Sequence, residues 1–344
     1  MKHEGPVLRW VVTRALGDHS LALPPPEVWE ASLDDLTANR VAALAVWLLG
    51  PDRDTLPLRA RMVLASACER SADIASRNAA QLGELAALLN DAGAPWVVLK
   101  GPPLTERLYP SPECRPARDL DLFVSPEARP TAGSVLESLG YRPRPEGRGE
   151  VRYERAAVGD WVDAVDLHWS AGPTAFTGPE TSAILAGRRR FESRCGAVWI
   201  PELGMELDLL CRHYAKHAGW QAILTLDILL HLAGRSYRHE YGTMVGDDLC
   251  RLGLPQTVTG PSRWRYLPLR AWMRRRTFAE RIRAEALPRV RLGLAMSASW
   301  GKWLRYMGHT AWPTRPSPRW IEAASTPWGR YTWRVRRLLR LGEP

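Results

Sequence analysis

Residues 96–124 read WVVLKGPPLTERLYPSPECRPARDLDLFV, and their last six positions decide the fold. Asp119 and Asp121 alternate there with Leu120, Leu122 and Val124. Successive side chains of a strand point to opposite faces, so the two carboxylates share one face and the aliphatic residues the other. Like charges at that range repel, and Asp is a poor strand former. Upstream, WVVLK reads as a short buried strand, Lys100-Gly101 as a turn, and PPLTERLY as a short helix with Pro in its first turn. The stretch therefore predicts strand, turn, helix and strand, ending in an acidic pair that a core strand would not ordinarily carry.

Outward from this stretch the period changes. Residues 1–94 read as a helical region: LTANRVAALAVWLL and the long segment from Leu58 to Gly93 carry apolar residues at helical spacing, and Gly93 is a plausible stop. Residues 95–200 read as a small α/β core. SPEARPTAGSVLESLG is expected to form a helix capped by Ser125, with Pro126 at its first position and Gly140 near its end. YRPRP, VRYERAAV and WVDAVDLHW are expected strands around a loop rich in Gly, Pro and Arg. Residues 201–250 read as a helical subdomain packing on that core. Residues 251–344 form a basic, Trp- and Arg-rich region, expected to be helical around 268–287 and 328–341. No internal repeat is evident.

Composition narrows the class. A chain of 344 residues with 45% hydrophobic residues can bury a substantial core in more than one packing unit. The longest apolar run, at 41–50, is half of what a membrane span needs, and Arg9 and Arg14 interrupt the N-terminal apolar stretch. The five cysteines are odd in number and scattered without a C-x-x-C pair, which predicts reduced thiols and a cytoplasmic location. The net charge of +10 is concentrated beyond residue 250, where 20 Arg and Lys face 4 acids. Only four of the cations in the chain are Lys, and Lys100 is one of them.

The ordinary reading of an acidic pair is a strand whose polar face meets water. A third acid, Asp166 in AVDLHW, changes that reading, because three carboxylates on one sheet face need a cation to stay ionised. Hard divalent ions such as Mg2+ take oxygen ligands from carboxylates and substrate phosphates, and two such ions can clamp both oxygens of a phosphoryl or nucleotidyl displacement. Asp163 is the rival third acid, but alternation puts it on the other face, whereas His168 shares the face of Asp166. The turn at Lys100-Gly101 opens a helix, where amide groups, the dipole and the Lys charge favour phosphate. Arg115 and Arg118, just before the acidic pair, are candidates to complete a phosphate clamp.

In this order the motifs LKG, YP, R-x-x-x-D-L-D-L-F-V, VDLHW and H-x-x-x-H with a later Asp resemble the uncharacterised nucleotidyltransferase-like family of the DNA polymerase beta-type nucleotidyltransferase superfamily. The resemblance covers roughly residues 65–235. It implies that Asp119, Asp121 and Asp166 hold two Mg2+ ions. It also implies that Lys100-Gly101 stands where other branches carry Gly-Ser, and that Arg115 matches an Arg of this subfamily. Genomic neighbourhoods in the family suggest small-molecule or peptide acceptors.

His168 has two readings, a hydrogen bond to a metal-binding carboxylate or a structural contact with backbone; it serves as a base only if it reaches the acceptor. His213 and His217, four apart on one helix face, can ligate zinc, but no third ligand is apparent; contacts to the sheet or to nucleotide are the favoured alternative. Asp227, a single acid in the apolar helix LTLDILLHLA, needs a partner such as His217 or an Arg. The C-terminal region holds half of the 16 Trp, interleaved with Arg. It suits an anionic partner, a membrane surface or a helical cap.

Taken together, the sequence predicts an α+β fold, with a small mixed β-sheet nucleotidyltransferase core flanked by N- and C-terminal helical regions. The expected activity is Mg2+-dependent transfer of a nucleoside monophosphate from a nucleoside triphosphate, ATP being the expected one, to a hydroxyl of a small-molecule or peptide acceptor. The catalytic and metal-binding residues are Asp119, Asp121 and Asp166. The nucleotide-binding residues are Lys100, Gly101, Arg115, Arg118, His168 and His217. Transfer of the terminal phosphate, or a non-catalytic scaffold for peptide or nucleic acid, is the alternative. No transmembrane segment is expected.

Overall fold

The computed structural model describes residues 4–144, 149–156, 161–170, 181–217, 221–233, 237–238, 242–252, 254 and 256–259. The helices expected at 268–287 and 328–341, with nearly all of the basic C-terminal region, lie outside the described residues. The chain opens with α1 (Pro6–Ala15), α2 (Pro26–Ala38), α3 (Ala42–Leu49) and the long α4 (Leu58–Asp91). It continues through β1 (Trp96–Val98), α5 (Pro102–Leu108), β2 (Leu120–Val124), α6 (Arg129–Ser138), β3 (Arg142–Pro143), β4 (Glu150–Ala156) and β5 (Val162–His168). Then come α7 (Thr181–Ala186), β6 (Arg189–Ser193), β7 (Gly196–Ile200), α8 (Leu203–Lys216), α9 (Ala222–Leu232), β8 (Tyr237–Arg238), α10 (Gly242–Leu252) and β9 (Val258–Thr259). No helix among the described residues is long and apolar enough to cross a membrane.

The fold is α+β, built on a mixed five-stranded sheet of order β1-β2-β5-β4-β3. Strands β2 and β5 run parallel, and the other pairings in this sheet are antiparallel. The period-2 pattern sorts the faces as the sequence predicts. Leu120, Leu122 and Val124 of β2, Val151 and Tyr153 of β4, and Val165 and Leu167 of β5 enter one apolar cluster with the C-terminal half of α4 and with α6. The acidic residues fall on the opposite face, where Phe123 and Val97 pack with Ile184 and Leu185 against Met205 and Leu209 of α8.

Helix α4 joins two cores. Its N-terminal half, through Ala60, Leu64 and Ala67, belongs to a helical core, and its C-terminal half, through Leu82, Leu85, Ala86 and Leu89, belongs to the sheet core. At 34 residues it spans about 50 Å, enough to bridge both. The helical core also takes residues of α1, α2, α3, α8, α9 and α10. The sequence separates the N-terminal helices from those of 201–250, yet their side chains meet in this one core.

Two local expectations differ from the structure. Helix α6 starts at Arg129, not at Pro126: Ser125 Oγ accepts from Ala128 N at 3.1 Å, so Ser125 closes a turn that precedes the helix instead of capping it. Strands β6 and β7 form a hairpin, absent from the sequence reading, that packs beside β1 and α4.

One buried ion pair fastens the helical core to the sheet. Asp227, in the apolar helix α9, accepts from Arg115 Nε and Nη2, each at 2.7 Å, and from Tyr109 Oη at 2.8 Å. Removing one partner leaves an uncompensated buried charge, which costs about 3–5 kcal/mol. Asp227→Asn and Arg115→Ala should each lower unfolding free energy in denaturant titrations by about that amount. The double variant Arg115→Met/Asp227→Leu should lose less than either single change. Equal losses in all three would show that packing, not charge, carries the contribution.

Candidate functional site

The acidic face is assembled by register. In the parallel β2–β5 ladder Asp121 pairs directly with Asp166, and Phe123 with His168. In the antiparallel β4–β5 ladder Asp166 also pairs with Arg152, and His168 with Glu150. Asp119 immediately precedes β2 on the same face. Asp163 lies on the other face, bound to Arg155 and to Gln81 of α4. It therefore stands apart from Asp166, as the alternation predicts.

Cations converge on these acids. Lys100 Nζ lies 2.8 Å from Asp121 Oδ2, and His168 Nε2 lies 3.2 Å from Asp121 Oδ1. The other ring nitrogen of His168 is 3.3 Å from Glu150. Arg152 Nη1 stands 3.1 Å from Asp166 Oδ1 and 3.4 Å from Asp119 Oδ2. The position of Lys100 follows from β1: Leu99 N donates to Asp121 O at 2.9 Å, which brings the next residue over the acid. Gly101 then turns the chain at φ 97° and ψ −142°, a conformation that a Cβ would strain, before α5 begins.

Electrostatics divide the acids. Burial alone would raise the Asp121 carboxyl, but Lys100 and His168 outweigh it and hold the group well below the usual carboxylate range. Asp166 is raised to about 6 by burial and by the charges of Asp119 and Asp121, which Arg152 only partly offsets. Burial would lower His168, yet its hydrogen bonds to Asp121 and Glu150 raise it to about 9. At neutral pH His168 is thus a cation with both nitrogens on carboxylates. That fits a residue that orients Asp121, and it does not fit a base.

The remaining predicted residues lie in different settings. Arg115 is buried, and its fork is committed to Asp227, so binding phosphate would mean abandoning that pair. Arg118 is exposed at the entry to β2. Pro102 and Pro103 occupy the first positions of α5, and with no N–H they remove two of the amide donors that a helix N-terminus normally offers an anion. His217 ends α8, its ring 4.5 Å from that of His213. Among the described residues the one group able to hold a metal is Asp121, Asp166 and His168, whose ligand atoms lie within 4.8 Å of one another.

Three contributors escape the sequence reading. Arg152 and Glu150 come from β4, where VRYERAAV gives the alternation but not the partners. Arg40, between α2 and α3, adopts φ 61° and donates to the carbonyl of Pro116, fixing the loop that leads into β2. Burial and the nearby charges of Arg115 and Arg118 lower its guanidinium to about 10.

Residues 25–235 match the family model described as uncharacterised nucleotidyltransferase. The chain belongs to this family. Membership sets its activity as that of a transferase acting by nucleotidyl transfer. No curated protein matches. Among solved structures, an antigenic nucleotidyltransferase-like protein from Paracoccidioides brasiliensis is 15% identical with a TM-score of 0.34, over 52% of this chain and 88% of that chain.

The two paired acids should respond oppositely to neutralisation in metal-free buffer. The raised Asp166 carboxyl destabilises the fold as pH climbs from about 4 through about 6, so Asp166→Asn should gain on the native chain over that window. The expected gain at pH 8 is roughly 1–3 kcal/mol. Asp121 is depressed and contributes stability above the ordinary Asp range, so Asp121→Asn should melt lower at pH 7, and the His168 titration followed by NMR should fall from about 9. Melting curves at pH 5 and 8 that move both variants the same way would contradict this division.

Proposed function

We propose that this nucleotidyltransferase is Mg2+-dependent and moves a nucleoside monophosphate from a nucleoside triphosphate, ATP by expectation, to a hydroxyl of a small-molecule or peptide acceptor. The observation that supports it is the direct register of Asp121 with Asp166, with His168 beside them. The donor set suits a hard divalent ion: carboxylate oxygens dominate it. In addition, Asp121 already turns both oxygens to positive charge, Oδ2 to Lys100 Nζ at 2.8 Å and Oδ1 to His168 Nε2 at 3.2 Å. A bound Mg2+ would neutralise charge on the phosphates and on the attacking and leaving oxygens.

Asp121 and Asp166 would hold the ion, with Asp119 the third carboxylate of a two-ion arrangement. His168 and Glu150 keep Asp121 oriented. Once a metal balances Asp121, Lys100 can turn its charge to the phosphates, beside the open backbone of Gly101. Arg118 is the exposed cation nearest the entry of β2 in sequence. In the transfer the acceptor oxygen bonds the α-phosphorus, the bond to the pyrophosphate oxygen breaks, and the hydroxyl proton passes to solvent. The free cysteines favour a reducing cytoplasmic setting. The cationic residues of 251–344 suit an anionic acceptor or partner.

The test is product mass. Incubation with Mg2+, each nucleoside triphosphate and a panel of hydroxyl acceptors should add one nucleotide to the acceptor and release pyrophosphate. Asp121→Asn and Asp166→Asn should lower turnover by at least about a thousandfold, given that charge stabilisation dominates such displacements. Gain of a phosphate alone would replace the reading with phosphotransfer. In the same assay, reversing the charges of Arg274, Arg275 and Arg276 should raise the acceptor KM, more so at low salt, and leave nucleotide KM unchanged. An unchanged acceptor KM would remove the basic region from recognition.

A further inference from the structure

Arg152 is a cation inside the acidic site that the reaction above does not use. Its position on β4 puts it in register with Asp166. Its guanidinium faces two ways. Nη1 lies between Asp166 Oδ1 at 3.1 Å and Asp119 Oδ2 at 3.4 Å, while Nε donates to Glu154 Oε1 at 3.0 Å. Glu154 stands at the outer edge of the site and also accepts from Arg144 at 2.5 Å. The Arg152 side chain is 41% exposed, against 20% for Lys100 and 14% for His168. Of the three cations that the described residues place on these acids, it is the least held by packing.

A guanidinium and a divalent ion compete for such a place. Both need the lone pairs of Asp166 and, in the two-ion arrangement proposed above, those of Asp119, and two cations sharing those oxygens repel at close range. Leaving is inexpensive for this arginine in particular, because its Nε already has a carboxylate outside the site. Asp166 in register with both Asp121 and Arg152 makes it the residue at which the two occupants meet.

We propose that Arg152 is the resident counter-cation of the metal-free site: it holds Asp119 and Asp166 together until a divalent cation takes their oxygens, and then withdraws to Glu154. This rests on the metal-dependent reading given above. Arg152 is accordingly a positioning residue that sets the affinity of the site for its ion. It also offsets the repulsion among acids that the sheet holds close before the ion arrives.

The experiment is calorimetric titration of the full chain with Mn2+ and Mg2+, with metal-free melting curves alongside. Arg152→Gln should melt lower without metal and bind Mn2+ roughly tenfold more tightly, since a competing charge is gone. Glu154→Gln should do the reverse, binding the ion several-fold more weakly, because the guanidinium then belongs wholly to the aspartates. Asp121→Asn should abolish the binding and so marks the site. Opposite signs from Arg152→Gln and Glu154→Gln support the exchange; a merely structural arginine would weaken binding in both. If the native chain binds an ion that Asp121→Asn removes, but Arg152→Gln leaves affinity unchanged or lower, the exchange is overturned and the metal reading stands. If neither the native chain nor Arg152→Gln takes up an ion sensitive to Asp121, the metal reading fails and the exchange with it. Should Arg152→Gln not fold, Glu154→Gln alone decides, with unchanged affinity the overturning result.

Discussion

Asp121 and Asp166 are direct neighbours in a parallel ladder, and much of the site is organised around the electrostatic cost of that placement. Adjacent strands lie about 4.8 Å apart, so the ladder itself holds the carboxylates close. They cannot drift apart, because the opposite face of the same strands, through Leu120, Leu122, Val165 and Leu167, is locked into the sheet core. The repulsion must therefore be met by cations. Lys100 reaches Asp121 because β1 pairs with β2, and Arg152 reaches Asp166 because β4 pairs with β5. Strand order, then, puts one cation on each flank of the acidic pair.

The helices contribute by fixing the chain that leads into β2. Three separate elements grip residues 115–117. Arg115 is forked onto Asp227 of α9, Arg40 donates to the carbonyl of Pro116, and Asn78 of α4 donates to that of Ala117 at 2.6 Å. Arg40 holds its contact from a left-handed conformation, φ 61°, that a branchless glycine would adopt more readily. A loop gripped in this way delivers Asp119 to the sheet with little freedom. The isolated acid of α9 thereby has a structural explanation that involves no substrate.

Period-2 alternation made the central part of this arrangement legible before the structure. It separates Asp119 and Asp121 from Leu120 and Leu122, and it separates Asp166 from Asp163, since each strand has one apolar face to bury. The alternation does not tell which strands pair, so the partners of each acid stay hidden. Arg115 lies four residues before Asp119 and looks like a phosphate ligand on proximity alone, but its partner Asp227 is 112 residues away in sequence. Arg152 is one basic residue among 47, and only the β4–β5 register distinguishes it. The charged first strand of the β6–β7 hairpin, RRFES, alternates too weakly to mark a strand, and Ser125-Pro126 suits a turn as well as a cap, so it does not fix the start of α6.

The compensation is uneven, and burial is what makes it so. On the Asp121 side the neutralising cations are enclosed: Lys100 and His168 are largely shielded, and His168 is pinned from both ring nitrogens. A buried pair that loses one member strands a charge, so these contacts persist as long as nothing else balances Asp121. On the Asp166 side the neutraliser is a long, partly exposed arginine, and pairs of that kind contribute less than enclosed ones because water competes for both partners. The carboxyl titrations follow the same division, with Asp121 held low and Asp166 raised to about 6. Two residues of the same type, matched in register across one ladder, thus differ in character: one is a settled anion, and the other is an under-compensated, partly buried anion. The unsatisfied charge that could attract a cation from outside therefore resides at Asp166, while Asp121 supplies the geometry.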